Sequence, residues 1–126
     1  MCFLNNVNVY KKVSHIETDK NKLVLFLFEE LLKSLHMLKK HVAQDEIELK
    51  VNKINHCLDI FEELKISIVV KENDKDSLEM GYYLEGIYNQ QIINLYEVSK
   101  GSIDKLEEII NVTKGMTDVW NIIMKT

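Results

Sequence analysis

The sequence predicts an all-α protein, an antiparallel up-down-up-down four-helix bundle with an apolar N-terminal segment docked on it. Apolar residues recur at spacings of three and four along four long stretches, which is typical of amphipathic helices. The connections between these stretches are short, and the chain contains no proline. With 126 residues, of which 46% are hydrophobic, the chain is long enough for one core and too short for two.

The N-terminal segment is rich in asparagine and β-branched residues and lacks helical periodicity. Its apolar side chains, among them Val7 and Tyr10, are too numerous for a solvated tail, so we expect it to lie against the bundle and to be partly mobile. Tyr10 is its largest anchor. Simple docking of the terminus and a functional role both stay open. We divide the chain into this segment, residues 1–19, and a bundle, residues 20–126.

The first helix is expected to run from about residue 20 to residue 44. Asp19 is its predicted N-cap, because a carboxylate accepts hydrogen bonds from the free N–H groups of a first turn. Its predicted core stripe consists of Leu23, Val24, Leu27, Phe28, Leu31, Leu32, Leu35, Leu38 and Val42.

The second helix follows Asp45, which together with Glu48 three residues later resembles a capping box. Residues 66–70 favour a strand by composition, but they continue the helical spacing, and we interpret them as the end of this helix. Its predicted stripe consists of Ile47, Val51, Ile54, Leu58, Phe61, Leu64 and Ile68, with Leu49, Cys57 and Ile60 beside it.

Loop signals delimit the third helix. Residues 71–76 are charged and aperiodic, Ser77 is the predicted N-cap, and Gly101 ends the helix where a left-handed residue is favoured. The predicted buried face consists of Met80, Leu84, Ile87, Tyr88, Gln91, Ile92 and Leu95.

The tyrosines of the third helix make it the element around which the bundle is organised. At about 100° per residue, Tyr82, Tyr83 and Tyr88 cannot share one face, so this helix should touch neighbours on more than one side. Either the rings pack in a core with their hydroxyls at its rim, or some of them line a groove for another chain.

The fourth helix is expected to begin at Ser102, with Asp104 well placed for the helix dipole. Gly115 within it either allows another helix to approach closely or simply weakens the helix. The predicted buried face consists of Ile103, Leu106, Ile109, Ile110, Thr113, Met116, Trp120, Ile123 and Met124.

Composition excludes several classes of function. The chain has a net charge of −4 and no arginine, which argues against nucleic-acid binding because base readout depends heavily on arginine. The first residues lack the charged and apolar regions of a secretory signal, and the longest apolar run, residues 23–28, is too short for membrane insertion. A reducing cytosol suits Cys2 and Cys57, since Cys57 fits a small apolar core position.

No motif for catalysis or for a cofactor occurs in the sequence. A di-metal centre in a helix bundle requires glutamate three residues before histidine, and lysine or leucine stands there before all four histidines. There is no glycine-rich phosphate loop and no nucleophile elbow. Paired glutamates such as Glu62 and Glu63 are expected on solvated faces. We therefore expect neither enzymatic activity nor a cofactor.

Three landmarks occur in one order along the chain. They are Val-Asn-Val-Tyr-Lys at residues 7–11, Leu-Glu-Gly-Ile-Tyr at residues 84–88 followed by Gln91 and Ile92, and Asp-Val-Trp at residues 118–120. Together with the apolar run of the first helix, they make the chain resemble the FliS family of flagellin-specific export chaperones. The resemblance extends from about residue 7 to residue 124.

The resemblance implies a protein of the bacterial cytoplasm that binds the C-terminal segment of flagellin. Such a chaperone prevents premature polymerisation and delivers flagellin to the flagellar type III secretion apparatus, without catalysis or a cofactor. Components of the export gate and an anti-sigma factor are further expected partners. Two other hypotheses remain: a helical regulatory module that sequesters a signalling or anti-sigma protein, and a bundle enzyme with an unrecognised site.

The expected partner-binding residues combine the resemblance with the apolar faces of the second and third helices. In the family the tyrosine-bearing N-terminal stretch lies over part of the binding surface, so the resemblance assigns that role to Val7 and Tyr10. A rigid surface of this kind suits the binding of an amphipathic segment in a groove. The expected set is Val7, Tyr10, Leu58, Phe61, Leu84, Tyr88 and Ile92.

Overall fold

The structure, a computed structural model, describes residues 18–125, which form four α-helices and contain no strand. They are α1 (Thr18–Ala43), α2 (Ile47–Ile66), α3 (Lys75–Ser99) and α4 (Asp104–Met124). Helix α1 packs against α2 and α4, and α3 packs against the same two helices, so the four elements close a ring around one core. The prediction of an all-α four-helix bundle is confirmed. The predictions for the N-terminal segment fall on residues outside the described range.

The core forms where the buried stripes of the four helices meet. Four aromatic residues lie at its centre, and Phe28, Phe61, Tyr88 and Trp120 are each 1% exposed. Cys57 is fully buried among them, as expected, and desolvation by burial raises the pKa of its thiol to about 12, opposed by the charge of Lys53. The predicted faces of α3 and α4 supply much of this core, namely Met80, Leu84, Leu95, Leu106, Ile109, Ile110, Met116 and Ile123.

Helix α2 departs from its predicted stripe. Ile47 and Val51 are 68% and 49% exposed, whereas Cys57 and Ile60 are buried. The buried face is therefore rotated toward α1 relative to the predicted one. Such a rotation occurs because apolar residues on α2 exceed what one face can bury, so that several stripes of three- and four-residue spacing fit the sequence equally well.

The ends of α1 and α2 correct two predicted caps. Asp19 lies inside α1, in its first turn, because the helix already includes Thr18. Asp45 has a positive φ of 56° and forms the turn between the helices, while Glu46 is the N-cap of α2 and makes no side-chain capping bond. The carboxylate of Glu46 instead pairs with His41, at 3.1 Å between Oε1 and Nδ1. The predicted capping box is therefore wrong.

The interpretation of residues 66–70 as helix holds for Ile66 and is wrong for residues 67–70. Helix α2 ends at Ile66, and the following apolar residues form a non-helical connection. Val70 lies across α3 at Gly81, where a Cβ would overlap the Val70 Cγ1 methyl group. This segment therefore forms neither the helix that its spacing suggested nor the strand that its composition favours.

Helix α3 begins earlier than predicted, with Asp74 as its N-cap. The Asp74 carboxylate accepts hydrogen bonds from the backbone N–H groups of Asp76 and Ser77, at 3.0 and 3.3 Å. Ser77 is buried in the first turn, and its hydroxyl oxygen accepts a bond from the Lys71 N–H at 2.8 Å. Ser77 therefore ties down the connection instead of capping the helix.

In the connection between α3 and α4, the prediction for the end of α3 is confirmed and the prediction for the start of α4 is wrong. Gly101 has a φ of +111°, which confirms the predicted left-handed position after α3. Helix α4 begins at Asp104, with Ile103 as N-cap, so Ser102 does not start it. Ile103 was expected on the buried face but is 54% exposed.

Candidate partner-binding groove

An open groove of about 470 Å³ runs along the outside of the bundle between α3 and α4. Most of the surface that lines it is apolar. Among the described residues that line it, Asp118 alone carries a charge. The lining residues are Tyr83, Ile87, Gln90, Gln91, Asn111, Val112, Gly115, Met116, Asp118 and Val119. We call this feature the α3–α4 groove.

The α3–α4 groove has two chemically different ends. Because α3 and α4 are antiparallel, Tyr83 lies at the same end as Asp118, and Gln91 lies at the same end as Asn111. One end therefore carries a carboxylate, and the other end carries side-chain amides. The middle is formed by apolar side chains and by Gly115.

A chain of amide hydrogen bonds holds the amide end in place. Gln90 Nε2 donates to Asn94 Oδ1 at 3.2 Å, and Asn94 Nδ2 donates to Gln91 Oε1 at 3.1 Å. Gln91 and Asn94 are 5% and 4% exposed. The oxygen of Gln91 is thus occupied, and its Nε2 makes no hydrogen bond to any residue within 18–125. A fixed donor therefore lines this end of the groove.

Gly115 gives the α3–α4 groove its depth. Within the described range, a Cβ built on Gly115 would have no neighbour within 4 Å. No other helix approaches it, so the first of the two interpretations of this glycine does not apply. A side chain at this position would extend into that open space.

The residues that the sequence predicted for partner binding lie on the other side of α3, along its seam with α2. Phe61, Leu84 and Tyr88 are buried in the core, and the Phe61 and Tyr88 rings pack with their centroids 6.4 Å apart. This contact sets the antiparallel register of the two helices and brings Leu58 level with Ile92, both of them half-buried. Val7 and Tyr10 lie outside the described residues.

The exposed side of α3 carries three large apolar side chains beside its charged residues. Tyr82 is 74% exposed, and Ile93 and Tyr96 are each 52% exposed, all on the outward face of this helix. A surface helix normally carries charged residues there. The three tyrosines singled out in the sequence therefore separate as their spacing predicts, with Tyr82 outside, Tyr83 half-buried at the groove and Tyr88 in the core.

Sequence reasoning missed most of the α3–α4 groove. Ile87 and Met116 were predicted on buried helix faces, and Val112 was not singled out. Periodicity assigns each residue to one face of its own helix, but it cannot show where two neighbouring helices leave a gap between them. Gly115 was the one available signal, since a glycine in the middle of an amphipathic helix removes a side chain from its surface.

The described residues were also compared with the requirements of a metal site and of a membrane-spanning helix. Within residues 18–125, no group of three or more histidine, cysteine, aspartate or glutamate side chains is arranged to hold a metal ion. None of the four helices is both long enough and apolar enough to cross a membrane. The charged side chains pair mainly at the surface, as in the exposed bridge between Lys39 and Glu107 at 3.2 Å.

Comparison with known proteins points to one family. The family model described as "Flagellar protein FliS" matches residues 3–126. A similar protein is the flagellar secretion chaperone FliS of Campylobacter jejuni subsp. jejuni serotype O:6 (strain 81116 / NCTC 11828), which is 31% identical over 101 residues. That alignment covers 79% of this chain and 75% of the Campylobacter protein.

Proposed function

This chain belongs to the FliS family of flagellar secretion chaperones, and from that membership we propose that it binds the C-terminal segment of flagellin. It does so in the bacterial cytoplasm, where it prevents premature polymerisation and delivers flagellin to the flagellar type III secretion apparatus. It acts by binding alone, without catalysis or a cofactor.

The family match over residues 3–126 is the observation that carries this proposal. The surface of the bundle supports it physically. A chaperone for an export substrate needs exposed apolar surface on a rigid support, and both the α3–α4 groove and the outward face of α3 offer such surface. A groove with one charged lining residue favours an apolar, helix-forming segment over a charged one.

The energetics of client binding require more than one groove. A segment that is disordered when free loses conformational entropy when it folds on its chaperone, so the interface must be long enough to offset that loss. The α3–α4 groove extends over about two helical turns, which is too short to hold such a client by itself. We therefore propose that the seam between α2 and α3 contributes a second contact.

At this second contact, the half-buried side chains of Leu58 and Ile92 touch the client. Phe61, Leu84 and Tyr88 lie beneath them in the core, and we assign these three to the support of that surface. Val7 and Tyr10 of the N-terminal segment complete the set, either as a lid over the binding surface or as direct client contacts.

Delivery to the secretion apparatus requires a second type of partner. We propose that the loaded chaperone contacts components of the export gate, and that an anti-sigma factor is a further partner. A regulatory module would differ from a chaperone in its dominant partner, and this difference can be measured.

A pull-down from native cytosol tests the proposal. The wild-type chain, tagged at its C-terminus, should recover flagellin as its dominant partner. The variant Ile92→Ser should recover less, because it replaces a half-buried apolar contact by a hydroxyl. Asn55→Ser, an exposed substitution on α2, serves as control. Recovery of a signalling protein in place of flagellin would contradict the chaperone function and favour the regulatory alternative.

Deletion of residues 1–17 tests the N-terminal segment separately. Tighter flagellin binding by the shortened chain would identify the segment as a lid, because an occluded site lowers the apparent affinity by the fraction of open molecules. Weaker binding would identify Val7 or Tyr10 as client contacts, which we expect because tyrosine is a common interface anchor. Unchanged affinity would remove the segment from the binding surface.

A further inference from the structure

We propose that the α3–α4 groove holds two turns of an amphipathic client helix that runs in the same direction as α3, with one large apolar side chain seated over Gly115. This inference rests on the proposed function, since it takes the client to be the helix-forming segment of flagellin. It adds two details to that function. One is the residue of this chain that admits the client's anchoring side chain, and the other is the direction in which the client helix lies.

The length of the groove determines how much of a helix fits. Its lining residues on α3 extend from Tyr83 to Gln91, and those on α4 extend from Asn111 to Val119. Eight residues of helix rise by roughly 12 Å, which equals a little more than two turns. A helix that lies along the groove would therefore present two or three apolar side chains at spacings of three and four residues.

Gly115 determines where the largest of these side chains sits. The space above its Cα is open, and Ile87, Val112 and Met116 surround it with apolar groups. A leucine, methionine or phenylalanine of the client would bury apolar area there without displacing any atom of the described bundle. A side chain on residue 115 would occupy the same space, so the glycine acts as a specificity determinant.

The two ends of the groove determine the direction of the client. The first turn of a helix has free N–H groups and a partial positive charge, whereas the last turn has free carbonyl oxygens and a partial negative charge. The carboxylate of Asp118 suits the first of these, and the unshared Nε2 donor of Gln91, a side chain that is 5% exposed, suits the second. A client helix therefore begins near Asp118 and ends near Gln91, parallel to α3.

Filling the groove tests the anchor position. Gly115→Leu should weaken the binding of the isolated C-terminal flagellin segment by roughly tenfold or more in calorimetry, the loss typical of a blocked anchor pocket. Asn52→Leu is the control, since Asn52 is an exposed residue of α2 and lines neither the groove nor the outward face of α3. It should bind as the wild type does. Both variants should melt at or above the wild-type temperature, because leucine favours helix over glycine and over asparagine.

The outcomes separate this inference from the proposed function. If the wild type binds the segment and Gly115→Leu binds it equally well, the groove inference is overturned and the chaperone function stands. If the wild type does not bind the segment, both are overturned. If Gly115→Leu changes the oligomeric state of the chain and leaves binding intact, the groove belongs to a second copy of the chain and the inference is again overturned.

Paramagnetic relaxation tests the direction. Single spin labels placed along the flagellin segment are observed through the amide signals of the isotope-labelled full chain. The label that most strongly broadens Gly115 marks the anchor of the client. Labels on the N-terminal side of that anchor should then broaden Asp118, and labels on its C-terminal side should broaden Gln91 and Asn111. The reverse order would contradict the assigned direction.

Discussion

The rings of Phe28 and Trp120 meet edge to face, with centroids 5.1 Å apart and planes inclined by 71°. The contact joins α1 to α4 at the centre of the core, where both side chains are 1% exposed. Phe28 also lies 6.4 Å from the ring of Tyr88, so one side chain connects α1 with two other helices. Both residues belong to the segments that carry the family resemblance in the sequence.

A double-mutant cycle should detect this contact as a coupling energy. Each of Phe28→Leu and Trp120→Leu should destabilise the bundle because each leaves a cavity in a close-packed core. Their coupling should be about 0.5–1.5 kcal/mol, the contribution of an aromatic pair beyond buried area. Urea unfolding of the wild type, the two single variants and the double variant measures it. Additivity of the two losses would show that the edge-to-face geometry contributes nothing of its own.

Gly81→Ala should destabilise the protein, although alanine normally favours helix over glycine by up to about 1 kcal/mol. The new methyl group would overlap the Val70 side chain, whose β-branched χ1 leaves it little freedom to move. Gly115→Ala provides the contrast, since it adds a methyl group in open space and should stabilise the fold.

Truncation of the neighbour should reverse the effect at Gly81. In the background Val70→Ala, the substitution Gly81→Ala should cost little or become favourable, as measured by thermal melting. If Gly81→Ala stabilises the wild type as much as Gly115→Ala does, Val70 does not lie over this position.

Cys57 should be unreactive in the folded protein. Its pKa is raised to about 12 from an ordinary value of about 9, so near neutral pH almost none of it is the reactive thiolate. In a Cys2→Ser background, a thiol reagent should label Cys57 only at the rate of global unfolding. Rapid labelling without denaturant would contradict the burial of this side chain.

The same pKa shift predicts a loss of stability in alkali. The native state keeps the Cys57 thiol neutral, whereas the unfolded chain loses this proton above about pH 9. The free energy of unfolding is therefore unaffected by this group below about pH 9 and falls as the pH rises toward 12. Compared with Cys57→Ala, which has no titrating group here, the wild type should lose more of its free energy of unfolding over this interval.

Substitutions at Tyr88 and Ile92 should have different effects, the first mainly on folding stability and the second mainly on client affinity. Tyr88→Ala removes a core ring that packs against Phe28 and Phe61, and it should cost about 3–5 kcal/mol of folding free energy. Ile92→Ser lies at the half-buried seam and should reduce flagellin affinity more than it reduces stability. Urea unfolding and calorimetry on each variant compare the two. Equal flagellin affinity of Ile92→Ser and the wild type would remove the α2–α3 seam from the client surface.

Most of the core could be predicted from the sequence because burial on α1, α3 and α4 largely follows helical periodicity, although Leu23, predicted in the stripe of α1, is 47% exposed. Leu31, Leu84 and Leu106 each sit on a stripe of three- and four-residue spacing, and each is at most 1% exposed. Helix α2 was harder, since Ile47 and Val51 fit the spacing but face solvent near the end of the bundle. The spacing of apolar residues gives the angle of a side chain around its own helix. It does not show whether a neighbouring helix extends far enough along the bundle to cover that side chain.

The helix caps and the binding groove depend on contacts between different segments of the chain, and the spacing of apolar residues within one helix does not show such contacts. Asp74 and Ser77 are both good N-cap residues, and the choice between them depends on where the preceding connection crosses α3. The α3–α4 groove is lined by residues of two helices, among them Ile87 of α3 and Gly115 of α4, so no pattern within one helix could reveal its full lining. The family resemblance, by contrast, was readable because it depends on the order of short motifs along the chain.

Calorimetric titration of flagellin into the purified chain tests the proposed function most directly. Two forms of flagellin are compared, the full-length protein and a form that lacks the C-terminal segment. We predict saturable binding of full-length flagellin and no measurable heat from the shortened form, because the segment that folds on the bundle supplies the interface. Equal binding of the two forms, or binding of neither, would contradict the account.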